Sequence, residues 1–195
     1  MCGRNATLPL FPVETLKIEA GSTIGFAAAS IKSYYKEHED FADYDPNFRI
    51  YHDGPATAYL SKAHGEPNDY AGDGEWFKIA AIGASDGLNW DVGQKSASGV
   101  MNFTIPKSTP PGKYLLRGEH LNINSAYMTT EMYVNCIHVE ITGSGQGTPG
   151  PTTKFPGAFN AKDDGIWLPN ALMRPLEPMD ELKNWQGAGP EVWKG

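Results

Sequence analysis

The chain has 195 residues, which is enough to bury one full hydrophobic core, and we expect a single domain over residues 1–195. A formal net charge of −7 with a pI near 5.2 disfavours binding to a phosphate backbone, so we expect no nucleic-acid partner. No run approaches the roughly 20 apolar residues of a membrane span, and we expect no membrane association.

The 22 glycines and 15 prolines are scattered along the chain and interrupt every helical period. This pattern predicts an all-β fold with many turns and no long helix. From the N-terminus, residues 16–26 alternate around Ala20-Gly21 and predict two short strands that pair as a hairpin at a sheet edge. Residues 30–48 are charged and aromatic without a clear period, which favours an exposed loop or a short helical insertion.

Later strands are predicted after sharp turns. The turn Asp53-Gly54-Pro55 precedes a strand predicted over 56–60, and further strands are predicted over 75–82 and 101–105.

Two longer strands, over 113–122 and 131–142, are expected to pair with each other. Residues 143–151 are rich in Gly and Pro and predict a flexible connection. Residues 166–195 are punctuated by prolines, so we expect them to wrap the domain as a C-terminal loop rather than to fold alone.

The two cysteines, Cys2 and Cys136, are compatible with one disulfide or with two unrelated thiols. Two tripeptides, Asn5-Ala6-Thr7 and Asn102-Phe103-Thr104, match the acceptor pattern for N-glycosylation. They favour an oxidising secretory route and therefore the disulfide. In the chain-entropy model such a bridge would contribute ~4–5 kcal/mol.

Five histidines occur, but none shows HxxxH or HxH spacing, so no metal site follows from local motifs. On spacing alone, His52 beside a turn is most often a surface residue, and Tyr133 in a strand is most often packed. His120 and His138 lie inside predicted strands, where a structural histidine is the better interpretation.

Two carboxylates, Glu119 and Glu131, fall in adjacent predicted strands. Opposed carboxyl groups ~5–9.5 Å apart would suit a glycosidase. Solvated acids, or acids paired with Arg117, are the favoured alternative.

Several segments, in one consistent order over almost the whole chain, together resemble the fungal cellulose-active lytic polysaccharide monooxygenases of auxiliary activity family 9. They are Cys2-Gly3-Arg4-Asn5-Ala6, Tyr51-His52-Asp53-Gly54-Pro55, Gly74-Glu75-Trp76-Phe77-Lys78-Ile79, Pro111-Gly112-Lys113-Tyr114-Leu115-Leu116-Arg117-Gly118-Glu119, Met132-Tyr133-Val134-Asn135-Cys136 and Gly189-Pro190-Glu191-Val192-Trp193.

The resemblance implies an immunoglobulin-like or fibronectin-like antiparallel β-sandwich with long loops, and one mononuclear type 2 copper held by a histidine brace. It places the second brace histidine at His52 and the axial ligand at Tyr133, and it pairs Cys2 with Cys136. Imidazole and amine nitrogens in a tetragonal array suit Cu(II). The family's N-terminal strand and first brace histidine precede the Cys-Gly-Arg-Asn segment, and we expect both to be missing here.

Two further candidate catalytic positions depart from the family pattern. Asn124 aligns with the family's usual histidine, and Glu131 aligns with the usual glutamine two residues before the axial Tyr133. These groups normally orient oxygen beside copper, so we expect impaired turnover. Trp185 is the candidate for stacking on the polysaccharide in place of the family's tyrosines.

The resemblance therefore predicts a secreted monomeric oxidoreductase that cleaves cellulose or a related β-glucan at C1, C4 or both. It implies an external electron donor and O2 or H2O2 as co-substrate. The alternative is a non-catalytic sandwich that binds polysaccharide after losing its copper site.

Overall fold

The computed structural model describes residues 2–3, 6, 8–28, 50–93 and 100–195. The predicted insertion over 30–48 and the acceptor Asn5 lie outside the described residues. The strands are β1 (Thr15–Glu19), β2 (Thr23–Ala27), β3 (Ala56–Lys62), β4 (Trp76–Ile82), β5 (Val100–Thr104), β6 (Gly112–Asn122), β7 (Glu131–Thr142) and β8 (Thr152–Thr153).

The described strands form two sheets. The larger has six strands in the order β1-β7-β6-β3-β4-β8, and the smaller pairs β2 with β5. β6 and β7 are antiparallel over their whole length, from Gly112 opposite Ile141 to Asn122 opposite Glu131, which confirms the predicted pair of long strands.

The predicted hairpin over 16–26 is wrong, because its two strands belong to different sheets. β1 runs parallel to β7, whereas β2 is antiparallel to β5. The turn carries the crossover: Ala20 N–H donates to Thr142 O at 2.9 Å, and Gly21 N–H donates to Ile105 O at 2.8 Å. Sequence alternation located both strands correctly, but it does not encode their partners.

The main core lies between the sheets. Leu60, Leu116 and Val139 of the larger sheet meet Phe103 of the smaller one, and all are buried. Gly118 lets the sheets approach, since a Cβ there would lie 2.8 Å from the Phe26 ring. The predicted all-β sandwich is therefore confirmed.

The C-terminal segment covers the outer face of the larger sheet. It contains two four-residue helices, α1 (Asn170–Met173) and α2 (Asp180–Lys183), and it buries Leu182 and Trp185 there, whereas Trp193 near its end packs against Phe77 in the main core. Among the described residues, no helix is long and apolar enough to cross a membrane.

A buried lysine on β4 fixes this segment. The Lys78 ammonium donates hydrogen bonds to Gln186 O at 2.8 Å and Ala188 O at 2.9 Å. Lys78 is fully buried, and this burial lowers its pKa to about 8. Trp193 N–H also donates to Lys78 O at 2.8 Å, so the segment is bound to β4 through both backbone and side chain.

The carboxylates Glu119 and Glu131 do not face each other. Buried Glu119 accepts hydrogen bonds from Arg117 at 2.5 Å and from Thr57 at 2.7 Å on the outer face. Glu131 pairs instead with Asn122 across the ladder, on the inner face. The structure supports the Arg117-paired alternative for Glu119, and Glu119 and Glu131 do not form a glycosidase-like pair.

Candidate metal centre

The loop before β3 brings His52 against β6. Gly54 N–H donates to Val92 O at 3.0 Å, and Leu121 N–H donates to Pro55 O at 3.0 Å. A Cβ at Gly54 would lie 1.8 Å from Leu121 O, so only glycine permits this approach. The Asp-Gly-Pro turn therefore does more than reverse the chain, because it holds His52 at the end of the larger sheet.

Tyr133 and Glu131 lie at the start of β7 and share one face because they are two residues apart in a strand. The Tyr133 hydroxyl donates to Glu131 Oε2 at 3.0 Å, and Asn122 Nδ2 donates to the same oxygen at 2.7 Å. These hydrogen bonds, from Asn122 first and Tyr133 second, lower the pKa of Glu131. Desolvation, together with the bond to Glu131 and its charge, raises the pKa of Tyr133.

The structure brings His52, Tyr133 and Glu131 together. The His52 and Tyr133 rings are near-parallel, 17° apart in plane, with centroids separated by 5.8 Å. His52 Nε2 lies 3.9 Å from Glu131 Oε2. The His52 side chain is 38% exposed, so its ring remains accessible to a ligand from solvent.

His120 on β6 contacts both His52 and Tyr133. Its Nε2 lies 2.9 Å from His52 O, and its ring is 6.1 Å from Tyr133 at an interplanar angle of 24°. Burial lowers the pKa of His120. A carbonyl only accepts, so Nε2 carries the proton, while Nδ1 is buried without a partner in the described part of the chain. Its strand position alone favours a structural role for His120; its proximity to the cluster follows from the ladder register, which sets His120 opposite Tyr133.

A cavity of about 430 Å³ adjoins these residues between the two sheets. His52, His120 and Tyr133 line one side, and Phe26 and Met101 line the apolar side. The polar cluster therefore lies beside the packed core, with residues of both sheets around the cavity.

Asn124 and Glu131 differ in how closely they approach the cluster. Asn124 Nδ2 donates to Thr129 O at 2.9 Å and so holds the loop 125–130. Within the described residues it makes no hydrogen bond to His52 or Tyr133. Only Glu131 of the two contacts the predicted ligands directly.

Trp185 does not lie on an open surface. It is 6% exposed and packs against Trp90 at a centroid distance of 6.3 Å. The structure therefore does not support the predicted sugar-stacking role of Trp185, because the C-terminal segment folds its ring onto the sheet. Tyr51 is instead 69% exposed, and Tyr127 and Trp167 form an exposed pair at 5.8 Å.

A disulfide joins Cys2 to Cys136, which confirms the predicted bridge. Cys136 lies on β7 three residues after Tyr133. The bridge therefore attaches the start of the chain to the strand that carries part of the cluster.

The donor chemistry fits part of a copper site. His52 offers an imidazole nitrogen and Tyr133 a phenol oxygen, and nitrogen with oxygen donors in a tetragonal set suits Cu(II). Among the described residues, no group of three or more His, Cys, Asp or Glu side chains is placed to hold a metal ion. The two residues supply some of the ligands of such a site, and the remaining nitrogen donors would come from elsewhere.

Comparisons of the sequence with known proteins give consistent matches. The model of Auxiliary Activity family 9 (formerly GH61) matches residues 1–175. A family 9 lytic polysaccharide monooxygenase U from Thermothielavioides terrestris is 39% identical over 100% of this chain and 72% of its own. Monooxygenase C from Emericella nidulans is 36% identical over 100% of this chain and 74% of its own.

The fold agrees as well. The crystal structure of a cellulose-active polysaccharide monooxygenase from M. thermophila superposes with a TM-score of 0.69 at 23% identity, covering 94% of this chain and 76% of that one.

Proposed function

Since the chain belongs to Auxiliary Activity family 9, whose members are copper-dependent polysaccharide monooxygenases, we propose that it cleaves cellulose or a related β-1,4-glucan oxidatively at C1, C4 or both. The observation that carries the proposal is the adjacency of His52 and Tyr133, with near-parallel rings on a solvent-open face. They come from a loop and from a strand 81 positions later, yet they form one donor set.

In this proposal copper would be held by an imidazole nitrogen of His52 and the phenol oxygen of Tyr133. Copper, when bound, would supply the electron that activates O2 or H2O2, with an external electron donor restoring its reduced form. Glu131 orients Tyr133 by accepting its hydroxyl hydrogen bond. Asn124 acts through the loop 125–130, which it ties down at Thr129.

The substrate would lie across the exposed aromatic rings near this cluster. Tyr51 adjoins His52 in sequence, and its ring meets the His52 ring edge-on at 5.0 Å. Trp167 Nε1 donates to Ser125 O at 3.2 Å, which holds Trp167 against the loop 125–130. That loop carries Tyr127, whose ring contacts the Trp167 ring, and it is the loop that Asn124 binds. Aromatic faces stack on sugar rings because they present broad apolar surface with a polar edge.

Secretion and a monomeric state belong to the same proposal. The Cys2–Cys136 disulfide is typical of proteins that pass through an oxidising compartment. An enzyme that acts on an insoluble glucan outside the cell would pass through such a compartment during secretion.

A copper titration followed by electron paramagnetic resonance tests the proposal on the purified secreted protein, completed at its N-terminus with the brace histidine that the family resemblance implies. We expect one copper per chain, with an axial type 2 signal split by nitrogen. His52→Ala should abolish that signal, and Tyr133→Phe should alter it. His64→Ala is the matched control, because His64 is exposed on a separate loop and should leave the signal unchanged. Absence of a nitrogen-split signal in the unmodified protein would overturn the copper assignment.

One observation favours the alternative, a polysaccharide-binding sandwich without turnover. Glu131 places a carboxylate 3.9 Å from His52 Nε2, where the family pattern has glutamine. An ionised carboxylate only accepts hydrogen bonds, whereas an amide also donates one to an oxygen co-substrate. Mass spectrometry of products from cellulose with a reductant separates the readings: oxidised oligosaccharides support the enzyme, and cellulose binding without them supports the binder.

The Glu131→Gln variant follows from the same contrast. We expect it to raise the yield of oxidised products, because it restores the donor while its oxygen still accepts from Tyr133. Equal or lower yield, with copper affinity unchanged, would show that Glu131 does not limit turnover.

A further inference from the structure

Among the described residues, the outer face of the smaller sheet carries no charged side chain and is exposed. Side chains on this face belong to alternate positions of β2 and β5, and the register sets Thr23 opposite Thr104 and Gly25 opposite Asn102. Thr23, Gly25, Asn102 and Thr104 are all exposed. The alternate residues Met101 and Phe103 are buried on the inner face. The face is therefore a smooth patch of small and polar groups with Asn102 near its centre.

Gly25 makes room for the Asn102 side chain. A Cβ at Gly25 would lie 2.3 Å from Asn102 Oδ1, so the carboxamide extends over the one position of the opposite strand that has no side chain. Within the described part of the chain, the Asn102 carboxamide makes no hydrogen bond. Asn102 is therefore an exposed residue whose side-chain nitrogen has no hydrogen-bond partner among the described residues.

Asn102 also opens an acceptor tripeptide whose three residues have distinct environments. Phe103 is buried at 6% exposure and anchors the strand in the core. Thr104 is exposed, with its Oγ1 3.2 Å from Thr23 Oγ1. The acceptor asparagine and its threonine thus share the exposed face, so a glycan on Asn102 would lie on the surface of the folded domain.

We propose that Asn102 carries an N-linked oligosaccharide that covers the outer face of the β2–β5 sheet. The co-reactant is an oligosaccharide linked to a lipid pyrophosphate. A bond forms between Asn102 Nδ2 and the first sugar carbon, the bond from that carbon to the pyrophosphate oxygen breaks, and the pyrophosphate leaves with the electron pair. Nδ2 loses one proton. The inference rests on the proposed function only for entry into the secretory route.

The glycan shields an uncharged β-surface without obstructing the metal centre. Met101 lines the cavity next to His52, and successive strand residues point to opposite faces, so Asn102 points away from that cavity. Among the described residues β2 and β5 are the only strands of the smaller sheet, so each presents an edge; such edges favour pairing between chains, which a bulky, hydrated sugar hinders.

Peptide mapping of the chain expressed behind a secretion signal in a fungal host tests the proposal, using both secreted and cell-associated protein. In an Asn5→Gln background, which removes the other acceptor, we expect one glycan on Asn102. Thr104→Ser keeps the acceptor pattern and should keep the glycan. Thr104→Val and Asn102→Gln should both lose the glycan. Because the two variants remove the acceptor pattern at different positions, a folding defect in one of them does not prevent the test.

An amidase specific for N-glycans should release the sugar from the native protein, since the face is open, and the released protein should self-associate more readily than the glycosylated form. An unmodified Asn102 in both the Asn5→Gln and Thr104→Ser proteins would overturn the proposal. Copper binding is measured separately on the same samples. A glycosylated protein without copper binding would contradict the proposed function and leave the glycan assignment intact.

Discussion

His52 and Tyr133 are held in place by different means. The position of Tyr133 follows from the β6–β7 register, which is fixed over 11 residue pairs. His52 lies in a loop outside the strands, so single backbone hydrogen bonds, such as Gly54 N–H to Val92 O, hold it instead of a strand ladder. His120 connects the two, because its ring lies near Tyr133 and its Nε2 bonds to His52 O. One buried imidazole therefore positions both proposed ligands.

Replacing His120 by Phe should weaken copper binding by about 10- to 100-fold, the usual cost of removing a group that orients a metal ligand. Phe preserves a ring near Tyr133 but cannot donate to His52 O. His120→Gln, which retains a donor, should recover part of the affinity. Calorimetric titration with copper measures the change.

His138→Phe is the control for that experiment, because His138 is also a buried histidine, and it lies on β7 opposite Leu115, away from the cluster. We expect His138→Phe to bind copper like the unmodified protein. Equal affinities for the two Phe variants would show that His120 has no orienting role.

At the scale of elements, the loop carrying His52 depends on one close contact with β6. The Cβ of an alanine at Gly54 would meet Leu121 O at 1.8 Å, and a backbone oxygen cannot move aside as a side chain does. Gly54→Ala should lower the free energy of unfolding by ~2–3 kcal/mol. Gly65→Ala is its control, since nothing lies within 4 Å of a Cβ there. Urea denaturation compares both variants; similar stabilities would refute the close approach.

The contact between β4 and the C-terminal segment predicts a pH effect. Burial lowers the pKa of Lys78 from 10.5 to about 8, so the unfolded chain binds more protons than the folded one between these values. Stability from this group therefore rises as pH increases from about 8 towards 10.5. Relative to Lys78→Met, the unmodified protein should gain on the order of 1–2 kcal/mol between pH 7 and pH 9.5.

Denaturation of both proteins at the two pH values measures this difference, and subtracting the Met variant removes contributions from other titrating groups. If the free energy of unfolding changed equally with pH in the two proteins, folding would not lower the pKa of Lys78.

At the scale of the whole molecule, local pattern predicted strands better than partners. Alternation and turns, which are local, predict the β6–β7 pair to within one residue. They do not predict the crossover at Ala20-Gly21, because either a hairpin or a change of sheet satisfies the same pattern. Likewise, family resemblance identifies His52 and Tyr133, whereas the role of His120 and the burial of Trp185 depend on packing between distant segments.

The disulfide bears on the stability of the whole chain. Its cysteines are 134 residues apart, and Cys2 precedes a segment in which Leu10 and Phe11 are 92% and 77% exposed. Little apolar burial holds that segment, so the bridge is a principal constraint on it. In the chain-entropy model, a loop of this length contributes ~5 kcal/mol by restricting the unfolded chain.

The double variant Cys2→Ser/Cys136→Ser should therefore lose ~4–5 kcal/mol in free energy of unfolding. Because the effect acts on the unfolded state, the Tyr133 environment in any molecules that still fold should be unchanged, which the copper spectrum reports. A single Cys2→Ser variant controls for the free thiol and should lose as much stability as the double variant. If stability instead stayed within about 1 kcal/mol of the parent, the unfolded chain would retain enough structure to make the bridge redundant.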